Sequence, residues 1–368
     1  MTSPLVQRLI TSIERCQDTE ERACYVAELA CYWARVGEFE EAERLRTELR
    51  RDFGDCRSVR VSVLIMCIEA LLMYFRELNP LARNRMAGAN VLSTAASDSR
   101  LTALTSAWMA HIDFNLNRFE TMASAIAVCL STIDADDVTA DCRVSLVLGD
   151  AFLFVQALSP SNAWYARARA AASRVGDHAA IGALTYNRAA LHLAAARLKS
   201  LDQPLPVQDV SLMLAEVQSA INYQTIARLR SLDHLLQTLT VGALLLQERF
   251  GEALLKIREV LQLTDVPPHS AQRALLQADL ALALASTGQT AMAVQAIESL
   301  LDTKIDSFGA DDRGVIWSSI HRASLVCGVT EKLPRCIAEI NAAIAQHNET
   351  VAGLAILLLP FEQTPSVH

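Results

Sequence analysis

Along most of the chain apolar residues recur at three- and four-residue spacing, the mark of helices burying one side. The stretch 271–286 (AQRALLQADLALALAS) is apolar nearly all round, as a helix packed between neighbours should be. The way such helices are joined is visible at 29–42 (LACYWARVGEFEEA). A helix stops at Gly37, a residue suited to the left-handed conformation at a helix end. A second helix then opens on Glu38, Glu40 and Glu41, acids that favour its positive dipole end. The pattern predicts a tight helix hairpin.

The same punctuation recurs at Asn117-Arg118-Phe119, Arg249-Phe250-Gly251, Gly288-Gln289-Thr290 and Gly328-Val329-Thr330. Post-turn markers fall at 39, 119, 250, 290 and 330, with gaps of 80, 131, 40 and 40. Helix-breaking Asn79-Pro80, Ser159-Pro160 and Gln203-Pro204 fill the wider gaps. Corners are thus expected near 37, 79, 117, 159, 205, 249, 288 and 328, a period near 40 and about eight hairpins. Self-similarity at that period means a stacked array, here one domain over 1–368. In each hairpin we term the helix before the turn A and the one after it B. The last B helix is expected at about 333–347, a separate capping helix at about 349–359, and a loose tail from Pro360.

Leu29, Ala30, Trp33, Gly37, Phe39 and Ala42 resemble the motif of the tetratricopeptide repeat family, which sets small and aromatic residues around the turn. Leu280, Ala281, Gly288 and Ala293 match most of it; Met109, Ala110, Phe119 and Thr240, Val241, Phe250, Ala253 match loosely. The family repeat is about 34 residues. A period near 40 is more similar to the variant in effector-sensing domains of bacterial regulators. The resemblance implies an all-α, right-handed superhelical solenoid with a concave groove lined by A helices. Projecting the family's groove positions gives Arg35, Tyr74, His111, Asn115, Gln156, Asn187 and Arg322. Loop capping or solvent exposure are the competing readings of each. In the last two hairpins the projected positions (Leu275, Ala278, Leu282, Leu325, Val326) are apolar, which speaks against a charged peptide clamp.

Composition narrows the picture. The 368 residues include only 13 Gly and 10 Pro, too few turn formers for a β-sandwich or barrel. With 52% hydrophobic and 20% charged residues, the chain is not compositionally disordered. A net charge of −8 disfavours nucleic acid. The cluster Arg44, Arg46, Arg50, Arg51 is laced with Glu41, Glu43 and Glu48 at helical spacing, a solvated face. Nine scattered cysteines without CxxC spacing read as small apolar residues in a reducing compartment. The apolar runs 61–75 and 351–359 are too short to span a membrane, and residues 1–8 lack the pattern of a secretory leader. A cytoplasmic address, no membrane and no cofactor are expected.

Catalytic signatures are missing: HExxH, GxSxG, GxGxxG and GxxxxGK[ST] do not occur. No two of the eight His stand four apart, so no helical metal pair is expected. Asp134-Ala135-Asp136-Asp137, Asp311-Asp312 and Asp177 read as helix caps rather than metal ligands. Trp33, Trp108, Trp164 and Trp317 read as core anchors. The reading is a non-catalytic binding and regulatory module for a protein segment or small effector. Two alternatives stand beside it. One is an all-α toroid enzyme using A-helix carboxylates Glu69, Asp113, Asp150 and Asp279, which would require paired acids in a cavity. The other is an assembly factor dimerising through an apolar terminal repeat.

Overall fold

The computed structural model describes residues 3–54, 58–200, 205–231, 233–262 and 270–363. Among them the chain is all-helical, with seventeen α-helices, no strand, and successive helices packed as neighbours. In order they are α1 Pro4–Arg15, α2 Thr19–Val36, α3 Phe39–Phe53, α4 Val59–Glu77, α5 Leu81–Ala95 and α6 Ser99–Asn115. Then come α7 Phe119–Thr132, α8 Val138–Phe154, α9 Leu158–Val175, α10 His178–Lys199, α11 Val207–Ala227 and α12 Asp233–Leu246. The last are α13 Phe250–Gln262, α14 Ala271–Ser286, α15 Thr290–Leu301, α16 Ala310–Cys327 and α17 Leu333–Leu358. The corner expected at 203–206 lies largely outside the described residues, as do Cys56, His269 and His368.

The chain divides into two compact units. The first comprises Met1–Asn187, Asn222–Leu232 and Leu354–His368; the second comprises Arg188–Ile221 and Asp233–Gly353.

In the first unit α2 packs on α3 and α4, α4 on α5, α5 on α6, α6 on α7 and α8, and α8 on α9. A and B helices differ because their burial differs. On α3 only Ala42, Leu45 and Leu49 are buried, one stripe at helical spacing. On α4, eleven residues from Val61 to Phe75 are buried, so this stretch is apolar except at Ser62 and Glu69. Each large aliphatic side chain so enclosed contributes about 1.5–3 kcal/mol. The exposed side of α3 carries the arginines. Arg44 donates to Glu41 at 2.9 Å and Glu48 at 2.6 Å on the surface, whereas Arg46 and Arg50 turn to Glu69 on α4.

Most corners share one backbone lock. Glu38 N–H donates to Trp33 O at 3.0 Å, Arg118 to Asp113 O at 2.8 Å, and Ala157 to Phe152 O at 2.9 Å. Asp177 to Ala172 O, Gln289 to Leu284 O and Val329 to Ser324 O repeat it, each at 2.9 Å. The residue before each donor is left-handed: Gly37, Asn117, Gln156, Gly176, Gly288 and Gly328. This closure satisfies carbonyls that a helix end leaves free. Gly37 is also required sterically, since a Cβ there would stand 2.5 Å from Ser231 N. The fourth corner sits at Gln156–Ala157, ahead of Ser159-Pro160; Pro160 falls in the first turn of α9, where its missing N–H costs nothing.

In the second unit α12 packs on α13 and α14, and α14 on α15 and α16. Its core runs through Leu276, Leu282, Ile297, Ile316 and Ile320, with Trp317 buried. Trp108 and Trp164 are buried in the first unit; Trp33 packs partly buried against its core.

The separate capping helix is not present: α17 is continuous from Leu333 to Leu358. Residues 346–350 (QHNET) hold no Gly or Pro to break it. Joined, the stretch Thr330–Phe361 is long and apolar enough, by length and composition, to cross a membrane, with mean hydropathy 1.3. The expectation of two short runs therefore fails at this end of the chain. The eight described cysteines are free thiols, and five of them are buried.

Candidate functional site

The A helices of the first unit carry a row of polar side chains into its interior. Arg35 near the end of α2 is buried and donates to Asp177 Oδ2 at 2.8 Å, across 142 residues of sequence. Asp177 Oδ1 accepts from Ala180 N at 3.0 Å, so the same carboxylate caps α10. Ser3 Oγ donates to Gly176 O at 2.5 Å beside it. The segment after α11 lies on the end of α2, with Arg230 N–H and Ser231 N–H both donating to Val36 O. Arg35, Tyr74, His111, Arg143 and Asp150 of the row are buried, and Asn187 is half-buried.

Tyr74 on α4 and His111 on α6 are buried with ring centroids 5.4 Å apart. His111 also meets Trp108 edge-on at 5.5 Å. Burial, and then Arg143, push the His111 pKa well down, so it is neutral. Arg143 on α8 lies over the Trp108 ring, 3.8 Å from its centroid, at 4% exposure. Burial and the charge of Arg35 lower its pKa to about 10. Arg143 Nη1 and His111 Nδ1 have no hydrogen-bond partner.

Asp150, two turns along α8 from Arg143, is also buried. Its Oδ1 accepts from Tyr165 O–H at 2.7 Å and its Oδ2 from Asn187 Nδ2 at 2.7 Å. Burial raises its pKa to about 7, against the opposing pull of those two donors and of Arg143. The other three acids marked for an enzyme are neutralised by arginine. Glu69 meets Arg46, Arg50 and Arg85; Asp113 is held by Arg83 at 3.0 and 3.2 Å; Asp279 is held by Arg197 at 3.1 and 2.5 Å.

Of the projected groove residues, Arg35, Tyr74, His111 and Asn187 thus belong to this enclosed row. Asn115 and Gln156 are exposed at helix ends, where their side chains bond to His111 O at 2.8 Å and Leu153 O at 3.1 Å. Arg322 is exposed on α16 of the second unit. Sequence reasoning passed over Arg143 and Tyr165. Arg143 had a legible signal: it is the one charge between Cys142 and Gly149 in an otherwise apolar run (RVSLVLG). No cluster of three His, Cys, Asp or Glu able to hold a metal occurs among the described residues. Two open pockets lie elsewhere in the first unit, about 650 Å³ by Ser58 and Asp98, and about 290 Å³ by Glu69 and Arg85.

No family model, no curated protein and no solved structure matches the chain.

Proposed function

We propose that the chain is a non-catalytic binding and regulatory module of tetratricopeptide-like type, a right-handed superhelix of eight hairpins reading a protein segment or small effector along its A helices. The observation that carries the reading is the buried polar row at Tyr74, His111 and Arg143, in which Arg143 Nη1 and His111 Nδ1 lack partners. Most buried polar groups are paired, and an unpaired buried guanidinium supports a site where a ligand supplies the acceptor. The helix packing and the net charge of −8 agree with a scaffold that does not grip nucleic acid. Its setting in this reading is the cytoplasm of a bacterium, with no cofactor. The test is photo-crosslinking from exposed groove positions Asn115 and Arg322 against control position Glu40. Adducts from the groove positions alone support the module; equal labelling from all three positions removes it.

Asp150 favours a second reading, the toroid enzyme, because a buried acid with a pKa about 7 is poised for proton transfer. A hydrolase of that kind needs a second carboxylate, and Glu69, Asp113 and Asp279 are each occupied by arginine. An Asp150→Asn variant that abolished a turnover would move the assignment to this reading.

A further inference from the structure

The enclosed row of the first unit holds a buried guanidinium with no carboxylate in ion-pair contact among the described residues. Arg143 Nη1 and His111 Nδ1 are buried without a hydrogen-bond partner, and Tyr74 packs against the His111 ring. The two acids nearby are fully engaged. Asp177 serves Arg35 and the α10 cap, and Asp150 serves Tyr165 and Asn187. Arg143 therefore forms no ion pair among the described residues, although it is buried. An isolated buried cation is strongly unfavourable unless a counter-charge joins it. Trp108 covers one face of the guanidinium, which leaves its N–H edges for that counter-charge.

We propose that Arg143, His111 and Tyr74 form a binding site for a small monoanion of carboxylate or nitrate size. Each part of that description has its own reason. The ligand presents an acceptor, because the Arg143 guanidinium can only donate. It carries one charge, because one guanidinium lacks a partner and a second negative charge would face Asp150 and Asp177. It is small, because Arg143, His111 and Tyr74 are almost without exposed surface. His111 is neutral and carries its proton on Nδ1 when an acceptor is present. The inference deepens the binding-module reading by naming the ligand chemistry at its A-helix row.

The experiment is a thermal-shift titration of the full chain near neutral pH with sodium acetate, nitrate, chloride or sulfate, ionic strength balanced by a bulky zwitterionic buffer salt. A saturable rise in midpoint is expected with at least one monoanion and none with sulfate. Response to acetate alone assigns an organic acid; response to nitrate and chloride as well assigns an inorganic anion. In Arg143→Met the apparent affinity falls at least about tenfold. That variant removes an uncompensated charge and retains bulk, so it folds; Arg143→Lys, with fewer donors, is the second variant and weakens binding in the same direction. The proposal is overturned if no monoanion gives a saturable rise, if Arg143→Met responds as the parent does, or if both variants fail to fold. Crosslinking from Asn115 and Arg322 is read independently, so failure there with a positive titration removes the partner-binding reading and leaves this site standing.

Discussion

The guanidinium of Arg143 lies 3.8 Å from the ring centroid of Trp108, with both residues buried. Stacking of this kind, desolvated, contributes roughly 2 kcal/mol. We expect a double-mutant cycle of Trp108→Phe and Arg143→Met, followed by urea unfolding, to give a coupling of about 1–2 kcal/mol. Additive single costs would show that the two side chains are neighbours without interacting.

Asp150 makes stability fall with rising pH. Its pKa is raised from 3.8 to about 7 in the folded chain, so the native state binds a proton that the unfolded state has lost. Its favourable contribution is complete below pH 4 and is lost as pH climbs through 7. The full span is on the order of 4 kcal/mol. In Asp150→Asn this slope between pH 4 and 7 flattens while other titrations persist. Unfolding free energies measured across that range check it, and an unchanged slope counts against the assignment.

The Arg35–Asp177 pair closes the first unit across 142 residues. Asp177→Asn retains a cap acceptor but strands a buried guanidinium, a loss of about 3–5 kcal/mol. Adding Arg35→Met should restore part of that stability, because no charge is then left unpaired. If the double variant is no better than Asp177→Asn, the cost lies in the α10 cap alone.

Gly37 and Gly288 are both left-handed, at φ 88° and 78°, but only Gly37 is approached by backbone. Gly288→Ala carries the conformational cost alone, about 1–2 kcal/mol. Gly37→Ala adds a collision with Ser231 N at 2.5 Å and should cost clearly more. Equal melting temperatures for the two variants would place residues 230–231 away from α2 in solution.

How much of this was legible beforehand differs by residue. Gly37, Gly288 and Gly328 announced their corners, because a left-handed helix end selects glycine locally. Gln156 did not, since a left-handed Gln is the exception, and the neighbouring Pro160 drew the expected corner three residues late. The break placed between a last B helix and a capping helix was a misreading of polar residues as a stop; α17 needs Gly or Pro to end there and has neither. At the site, residue type marked Tyr74, His111 and Asn187 as candidates, yet the burial of Tyr74 and His111 was hidden. Periodicity reports which side of a helix is apolar and is silent on what later covers the polar side.

By itself the sequence determined that the chain is helical and where most helices end, because those outcomes depend on residues within a few positions of one another. Only the tertiary structure decided that Arg35 meets Asp177, that residues 230–231 sit on the end of α2, and that Arg143 is enclosed beside Trp108 without a counter-ion. Those relations join residues from 35 to 196 positions apart. Burial and the proximity of charges, which set the Arg143 and Asp150 chemistry, are properties of that assembled neighbourhood and not of any local stretch.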